Sequence, residues 1–257
     1  DKVARSLDIY RFDEAANGLY HFAWSVFCDW YLEFAKPLLQ GSDEAAKAET
    51  QATAAWVLNK LMHLLHPLMP YITEEIWQSF NGAEKLLMKE SWPKLSAGDT
   101  RSMDEMRWVI NVISLIRSVR SELNVPAGVN IPLIARGCGE EEKKRLEAYR
   151  NFIFRLARLS ELKYDQPAPK GSAQAVLGKV TFIMPLADII DLDAERARLE
   201  KERGKIAEEI NKLSQKLANP QFTDKAPAEV VEEHQQRLEA ARTTLAGLDA
   251  AQAKLTA

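Results

Sequence analysis

Residues 191–217 read DLDAERARLEKERGKIAEEINKLSQKL, and this stretch decides the architecture. Leu192, Leu199, Ile206 and Leu213 recur every seven residues, and Ile210 and Leu217 fill the partner position in the later turns. Gly204 is the one glycine and proline is absent. An apolar repeat of seven with charges between its members belongs to a helix that packs along a narrow seam. Its partner follows at once. Val231, Leu238 and Leu245 are again seven apart, joined by Ala241, Leu248 and Leu255. Between the two runs lies Ala218-Asn219-Pro220-Gln221-Phe222-Thr223-Asp224-Lys225-Ala226-Pro227. Asn219 suits a left-handed cap, and Pro220 cannot continue a helix. Pro227 suits the first turn of a new helix, with Glu229 and Glu232 at the positive end of its dipole. The reading is a C-terminal antiparallel coiled-coil hairpin over 191–257, with helices of about 27 residues and about 40 Å. Such an arm buries little of itself, so its length implies reach. Arg203 falls in the seam position that Ile210 and Leu217 occupy later; a charge there weakens the pairing unless its stem turns outward.

Working back from the arm, residues 101–190 mix two periodicities. Met103 to Leu123 reads as one long amphipathic helix, and Asn124 to Asn130, with Pro126 and Gly128, breaks it. Ile131 to Ala135 reads as a strand and Gly137-Cys138-Gly139 as a turn. Glu140 to Leu159 reads as a single helix. Leu162 to Tyr164, Ala173 to Leu177 and Lys179 to Met184 read as short strands. Together they form a small α/β unit. Residues 1–100 are helical instead. Leu19, Phe22, Ala23, Val26, Phe27, Trp30 and Phe34 share one broad apolar face. Pro37 and Gly41-Ser42 are expected to stop that helix. A second runs from about Asp43 to Leu65, and His66-Pro67 and Met69-Pro70 interrupt it. A third is expected to start with Thr73 as N-cap and Glu74 and Glu75 on the dipole. The fold class is mainly α: a helical bundle over 1–100, a small α/β subdomain over 101–190 and the hairpin over 191–257.

Composition narrows what this architecture does. The chain has 257 residues, 46% hydrophobic and 28% charged, with a net charge of -3, an ordinary soluble balance. Charge is uneven: residues 1–100 carry net -5, 101–190 net +4 and 191–257 net -2. The middle surplus is a weak attraction for phosphates. Cys28 and Cys138, the only two cysteines, stand too far apart for a CxxC zinc site and are too few for a disulfide framework. That usage fits a reducing compartment. No apolar run of 18 residues occurs, so no membrane span is read. The sequence begins at Asp1 without a signal-peptide pattern.

No catalytic constellation is read. His63 and His66 stand three apart, yet Pro67 follows directly and a helix-ending histidine explains them better than a metal site. No Gly-rich phosphate loop and no GxSxG occurs. Cys28 reads as a core residue and Cys138 as a turn residue with no histidine nearby. Phe27, Trp30, Tyr31 and Phe34 form a dense aromatic group of the kind on which splayed RNA bases stack. Phe27 and Phe34 read better as core. Trp30 and Tyr31 are adjacent and cannot both face one core, so one of them is expected nearer solvent. On the first arm helix Arg196, Arg198, Lys201, Arg203, Lys205, Lys212 and Lys216 are interspersed with seven acids, a pattern that a solvated, salt-bridged face also produces.

Three stretches resemble the valyl-tRNA synthetase family of class I aminoacyl-tRNA synthetases. Phe27-Cys28-Asp29-Trp30-Tyr31-Leu32-Glu33 with Ala35-Lys36-Pro37 is similar to its anticodon-binding helical domain. His66-Pro67-Leu68-Met69-Pro70-Tyr71-Ile72-Thr73-Glu74-Glu75-Ile76-Trp77 resembles a motif shared by the valine, isoleucine, leucine and methionine enzymes. Leu217-Ala218-Asn219-Pro220-Gln221-Phe222 with Lys225-Ala226-Pro227-Ala228-Glu229-Val230-Val231 is similar to the loop of the C-terminal coiled coil that marks the valine branch. The isoleucine enzyme is expected to end in a cysteine-rich zinc module, which this chain lacks.

The resemblance implies the C-terminal portion of an enzyme that activates valine with ATP and Mg2+ and charges it to its tRNA. HIGH- and KMSKS-type motifs and an editing domain are expected N-terminal to Asp1, and neither motif occurs here. This portion then has no cofactor or metal of its own. Its expected partner is valine tRNA, not DNA or a membrane, and it is expected to be monomeric and cytoplasmic. The residues expected to touch tRNA are Trp30, Tyr31 and Lys36 near the anticodon and Arg198, Lys201, Lys205 and Lys212 on the arm. The alternatives left open are a non-catalytic coiled-coil module that binds a partner protein, and the equivalent part of another class I synthetase.

Overall fold

The computed structural model describes residues 2–82, 84–95, 98–223 and 227–254, which divide into two compact units, Asp1–Thr100 and Arg101–Ala257. In the first, a short helix α1 (Lys2–Asp8) precedes a long rod made of α2 (Phe12–His21), a π-helical stretch (Phe22–Tyr31) and α3 (Leu32–Gln40). Helices α4 (Glu44–Leu65) and α5 (Pro70–Asn81) follow. Leu19, Phe27 and Leu61 form one core cluster, and Met62, Trp77 and Leu87 a second.

The rod departs from the expected single face. Leu19, Phe27 and Phe34 are buried, but Phe22 and Val26 are 42% and 43% exposed. Phe22 lines an open cleft with Leu19, Leu61 and Trp92, while Val26 is carried off that face by the π winding, whose i→i+5 bonds turn the chain less per residue than an α-helix does. Positions that an α-helix aligns therefore drift apart across Phe22–Tyr31. Pro37 does not stop the rod, which ends at Gln40, before Gly41. Asp43 caps α4, its Oδ1 accepting from the amides of Ala45 and Ala46 at 3.0 Å. Thr73 is not the cap of α5. That helix opens at Pro70, whose fixed φ and missing N–H suit a first helical position. Thr73 instead lies buried one turn in, its hydroxyl 2.9 Å from the carbonyl of Met69.

The second unit takes in α6 (Thr100–Glu122) from Arg101 onward. Val109, Val112, Ile113, Ile116 and Val119 are fully buried, a stripe at spacings of three and four. Four strands follow: β1 (Ile131–Arg136), β2 (Leu159–Tyr164), β3 (Ser172–Leu177) and β4 (Val180–Pro185). Their order is β2-β1-β4-β3, with β1 parallel to β2 and the other pairs antiparallel. The parallel pair is bridged by two helices, α7 (Glu140–Ala148) and α8 (Arg150–Ala157), where a single helix was expected; the break is at Tyr149, φ -103 and ψ 16. Gly137 takes φ +77, and a Cβ there would lie 2.9 Å from the carbonyl oxygen of Lys179, so the turn after β1 requires glycine.

The arm is a hairpin of α9 (Leu192–Leu217) and α11 (Ala228–Lys254), joined through a four-residue helix, α10 (Pro220–Thr223). Arg203 pairs with Asp249 at 2.7 Å and Arg237 with Glu209 at 2.7 Å, which fixes an antiparallel register. Leu199, Leu213, Leu238, Ala241 and Ala251 are buried along the seam. Arg203 thus meets a carboxylate on the opposite helix instead of sitting unanswered. Asn219 is not left-handed: its Oδ1 accepts from the amide of Gln221 at 3.0 Å and so caps α10. Leu255 and the linker positions Asp224, Lys225 and Ala226 lie outside the described residues.

Candidate nucleic-acid interface

The arm's basic side chains fall into two groups. Near its root they serve the fold. Glu195, only 8% exposed, accepts from the Arg198 guanidinium at 2.9 and 3.0 Å. Arg198 also pairs with Glu202 at 2.8 Å and donates to the carbonyl oxygen of Glu122 at 3.3 Å. These carboxylates hold the guanidinium well above the usual arginine range, against the opposing effect of burial. Lys254 reaches the carboxylate of Glu122 at 2.5 Å. Arg198, expected on the RNA-facing surface, therefore ties the base of α9 to the end of α6.

Farther along, Arg203, Arg237 and Arg242 are still paired, with Asp249, Glu209 and Glu239, but three lysines are not. Lys201, Lys205 and Lys212 are exposed, and no ion pair among the described residues engages them. Lys205 and Lys212 border a shallow groove of about 410 Å³ with Lys216, His234 and Arg237. Lys216 Nζ lies 2.7 Å from His234 Nε2 and 4.6 Å from the centre of the Phe222 ring. The ammonium can only donate, so Nε2 accepts and the ring proton sits on Nδ1. Glu208 and Glu209 also line the groove, so it is a mixed surface with a basic excess. His234, Arg237 and Lys216 were not among the expected site residues. The sequence carried their signal: a hairpin closing at Pro220 sets positions near 234–237 against 209–216.

In the helical unit the expected residues lie on one rod. Tyr31 is half-buried: its hydroxyl donates to the carbonyl of Thr50 at 3.0 Å, and its ring stacks on Phe27 at 5.4 Å. Burial pushes its hydroxyl above the usual tyrosine range. Trp30 is also half-buried and stacks on Phe34 at 6.0 Å. So neither of the adjacent rings is fully turned to solvent. Lys36 is exposed and paired with Glu33 one turn back. The open aromatic faces are elsewhere: Tyr20 and Trp24, 67% and 59% exposed, stack nearly parallel at 6.5 Å. Their four-residue spacing was visible in the sequence, but they lie outside the stretch that carries the resemblance. His63 and His66 are in structural use. His63 Nδ1 donates to the carbonyl of Asn59 at 2.8 Å, and His66 Nδ1 meets the Thr73 hydroxyl at 2.8 Å. Among the described residues, no three His, Cys, Asp or Glu side chains gather as a metal site, and no helix is long and apolar enough to cross a membrane.

Comparison with known proteins bears on both regions. Residues 1–135 match the anticodon-binding domain of tRNA ligase, and residues 191–256 match the valyl tRNA synthetase tRNA binding arm. The chain is 46% identical over 99% of its length to a protein of Caulobacter vibrioides named valine–tRNA ligase, covering 29% of that relative. It is 45% identical over 92% of its length to the valine–tRNA ligase of Brucella suis, covering 26% of it, and 44% identical over 94% to that of Bartonella henselae, covering 27%. The chain thus spans less than a third of the curated relatives it matches.

Proposed function

The chain belongs to the valyl-tRNA synthetase family of tRNA ligases, and on that premise we propose that it positions valine tRNA for a valine–tRNA ligase. Two sites divide the work. The helical unit reads the anticodon region, with Trp30, Tyr31 and Lys36 placed near it. The arm rests on the outer corner of the tRNA and holds it through phosphates. Activation of valine with ATP and Mg2+, and its transfer to the tRNA, belong to parts of the enzyme outside this sequence. The working form is a cytoplasmic monomer.

The observation that carries this reading is the row of exposed ammonium groups of Lys201, Lys205 and Lys212, unpaired among the described residues, on one helix of a stiff hairpin. Lysine is a compact, hydrated point charge, suited to a phosphate and indifferent to sequence. The hairpin supplies rigidity: a register fixed by cross-helix pairs and an anchored root leave little motion to freeze on binding. Acids interspersed with the lysines keep the attraction moderate and sensitive to salt. Such an arm aligns a tRNA and lets the charged product leave.

Gel-shift with valine tRNA against a non-cognate tRNA tests the reading. The expected result is a shift with both tRNAs, tighter for valine tRNA, with the dissociation constant rising steeply as salt increases. Binding of neither tRNA, or binding that ignores salt, would refute it.

A further inference from the structure

A cleft in the second unit has no part in the sites above. It encloses about 460 Å³, and Arg117, Arg120, Ser121, Asn124, Leu156 and Arg158 line it. No carboxylate is among its lining residues. Arg120 is 7% exposed. Its guanidinium donates to the carbonyls of Val129 at 2.8 Å, Pro126 at 3.0 Å and Arg158 at 3.4 Å, and among the described residues no carboxylate pairs with it. Burial, and after it the like charge of Arg158, hold this guanidinium below the usual arginine range. A buried cation with no counter-charge is unfavourable, and carbonyl dipoles offset it only in part.

The rim adds to the anomaly. Arg117 donates from Nε to the carbonyl of Leu156 at 2.8 Å and is exposed. Arg158 is exposed and takes φ 54, and Asn124 takes φ 48. Both are left-handed conformations that cost a non-glycine residue energy and collect where function demands them. Two of the four such residues among those described border this one cleft. Glu195, on the arm, adjoins the Asn124 amide but is already held by Arg198.

We propose that this cleft binds a phosphate of the RNA backbone, gripped by Arg117 and Arg158 at the rim and drawn by the charge of Arg120 beneath. The planar guanidinium fork suits phosphate oxygens in pairs. The proposal rests on the reading of the chain as tRNA-binding and adds a contact outside both the arm lysines and the helical unit.

The test measures tRNA affinity of the full chain across a salt series, for wild type, Arg158→Ala and Arg158→Lys. Arg158→Ala is expected to lower the slope of log K against log salt by about one unit and to weaken valine and non-cognate tRNA equally. Arg158→Lys, which keeps the charge and loses the fork, is expected to keep the slope and lose part of the affinity. The lysine variant also guards against a misfolded alanine variant. If wild type binds tRNA and both variants match it in slope and affinity, the cleft is not an RNA site, while the broader reading stands. If wild type fails to bind tRNA at all, both fall. A third arm adds inorganic phosphate alone. If it raises the melting temperature of wild type but not of Arg158→Ala, with tRNA affinity unaltered, the cleft takes a free anion and the RNA assignment is overturned.

Discussion

The α/β core and the arm belong to one compact unit yet are held together in opposite ways. In the α/β part, Val109, Val112, Ile113, Ile116, Leu133, Phe182 and Ile183 have no exposure at all. Among the described residues of the arm, only Leu199 and Ala251 reach 2% or less, and the seam residues Leu213, Leu238 and Ala241 keep 7–8%. The charges run the other way. Those at the arm's root are consumed in Arg198–Glu195 and Lys254–Glu122 pairs and Arg203 and Arg237 in cross-helix pairs, whereas Lys201, Lys205 and Lys212 are left to solvent. The difference teaches where stability and binding separate. A core that excludes water fixes the platform; a two-helix seam needs only enough burial to stay straight, and its surface stays available for a polyanion.

Substitutions in the two regions should therefore differ in kind. Ile113→Ala leaves a cavity in a fully enclosed stripe and is expected to destabilise the second unit by about 3–5 kcal/mol, read by urea unfolding. A loss under 1 kcal/mol would mean that α6 is not the centre of this core. Leu213→Ala removes a seam residue that water already touches, and is expected to lower stability by about 1–2 kcal/mol in the same measurement. A loss as large as that of Ile113→Ala would erase the distinction between core and seam.

How much of this was legible depends on which force dominates each segment. The arm was readable because a seven-residue repeat is a local signal with one geometric meaning, and both helices and their antiparallel pairing follow from it. The sheet was readable in its strands, but the break at Tyr149 was not, since nothing in Glu140–Leu159 interrupts the apolar pattern. The π stretch was missed because period counting assumes one winding, and Val26 was misplaced with it. Asn219 and Thr73 were misassigned for one shared reason. Each residue type stabilises several terminus geometries, and the neighbouring Pro220 and Pro70 decided which. On the arm, residue type and spacing single out Lys201, Lys205 and Lys212, and the structure leaves all three exposed. The acids Glu195 and Glu202, three before and four after Arg198, are visible in the sequence, but its anchoring to α6 is not, because the carbonyl of Glu122 lies 76 residues away in the chain.

Lys201, Lys205 and Lys212 bear the central claim that the arm's free cations serve binding and not folding. Replacing all three by alanine in this chain, then measuring melting temperature and tRNA dissociation constant together, tests it most directly. The account predicts a melting temperature within about 2 °C of wild type, with tRNA affinity weakened and its salt slope lower by about two to three units. A lowered melting temperature with unchanged tRNA affinity would contradict it.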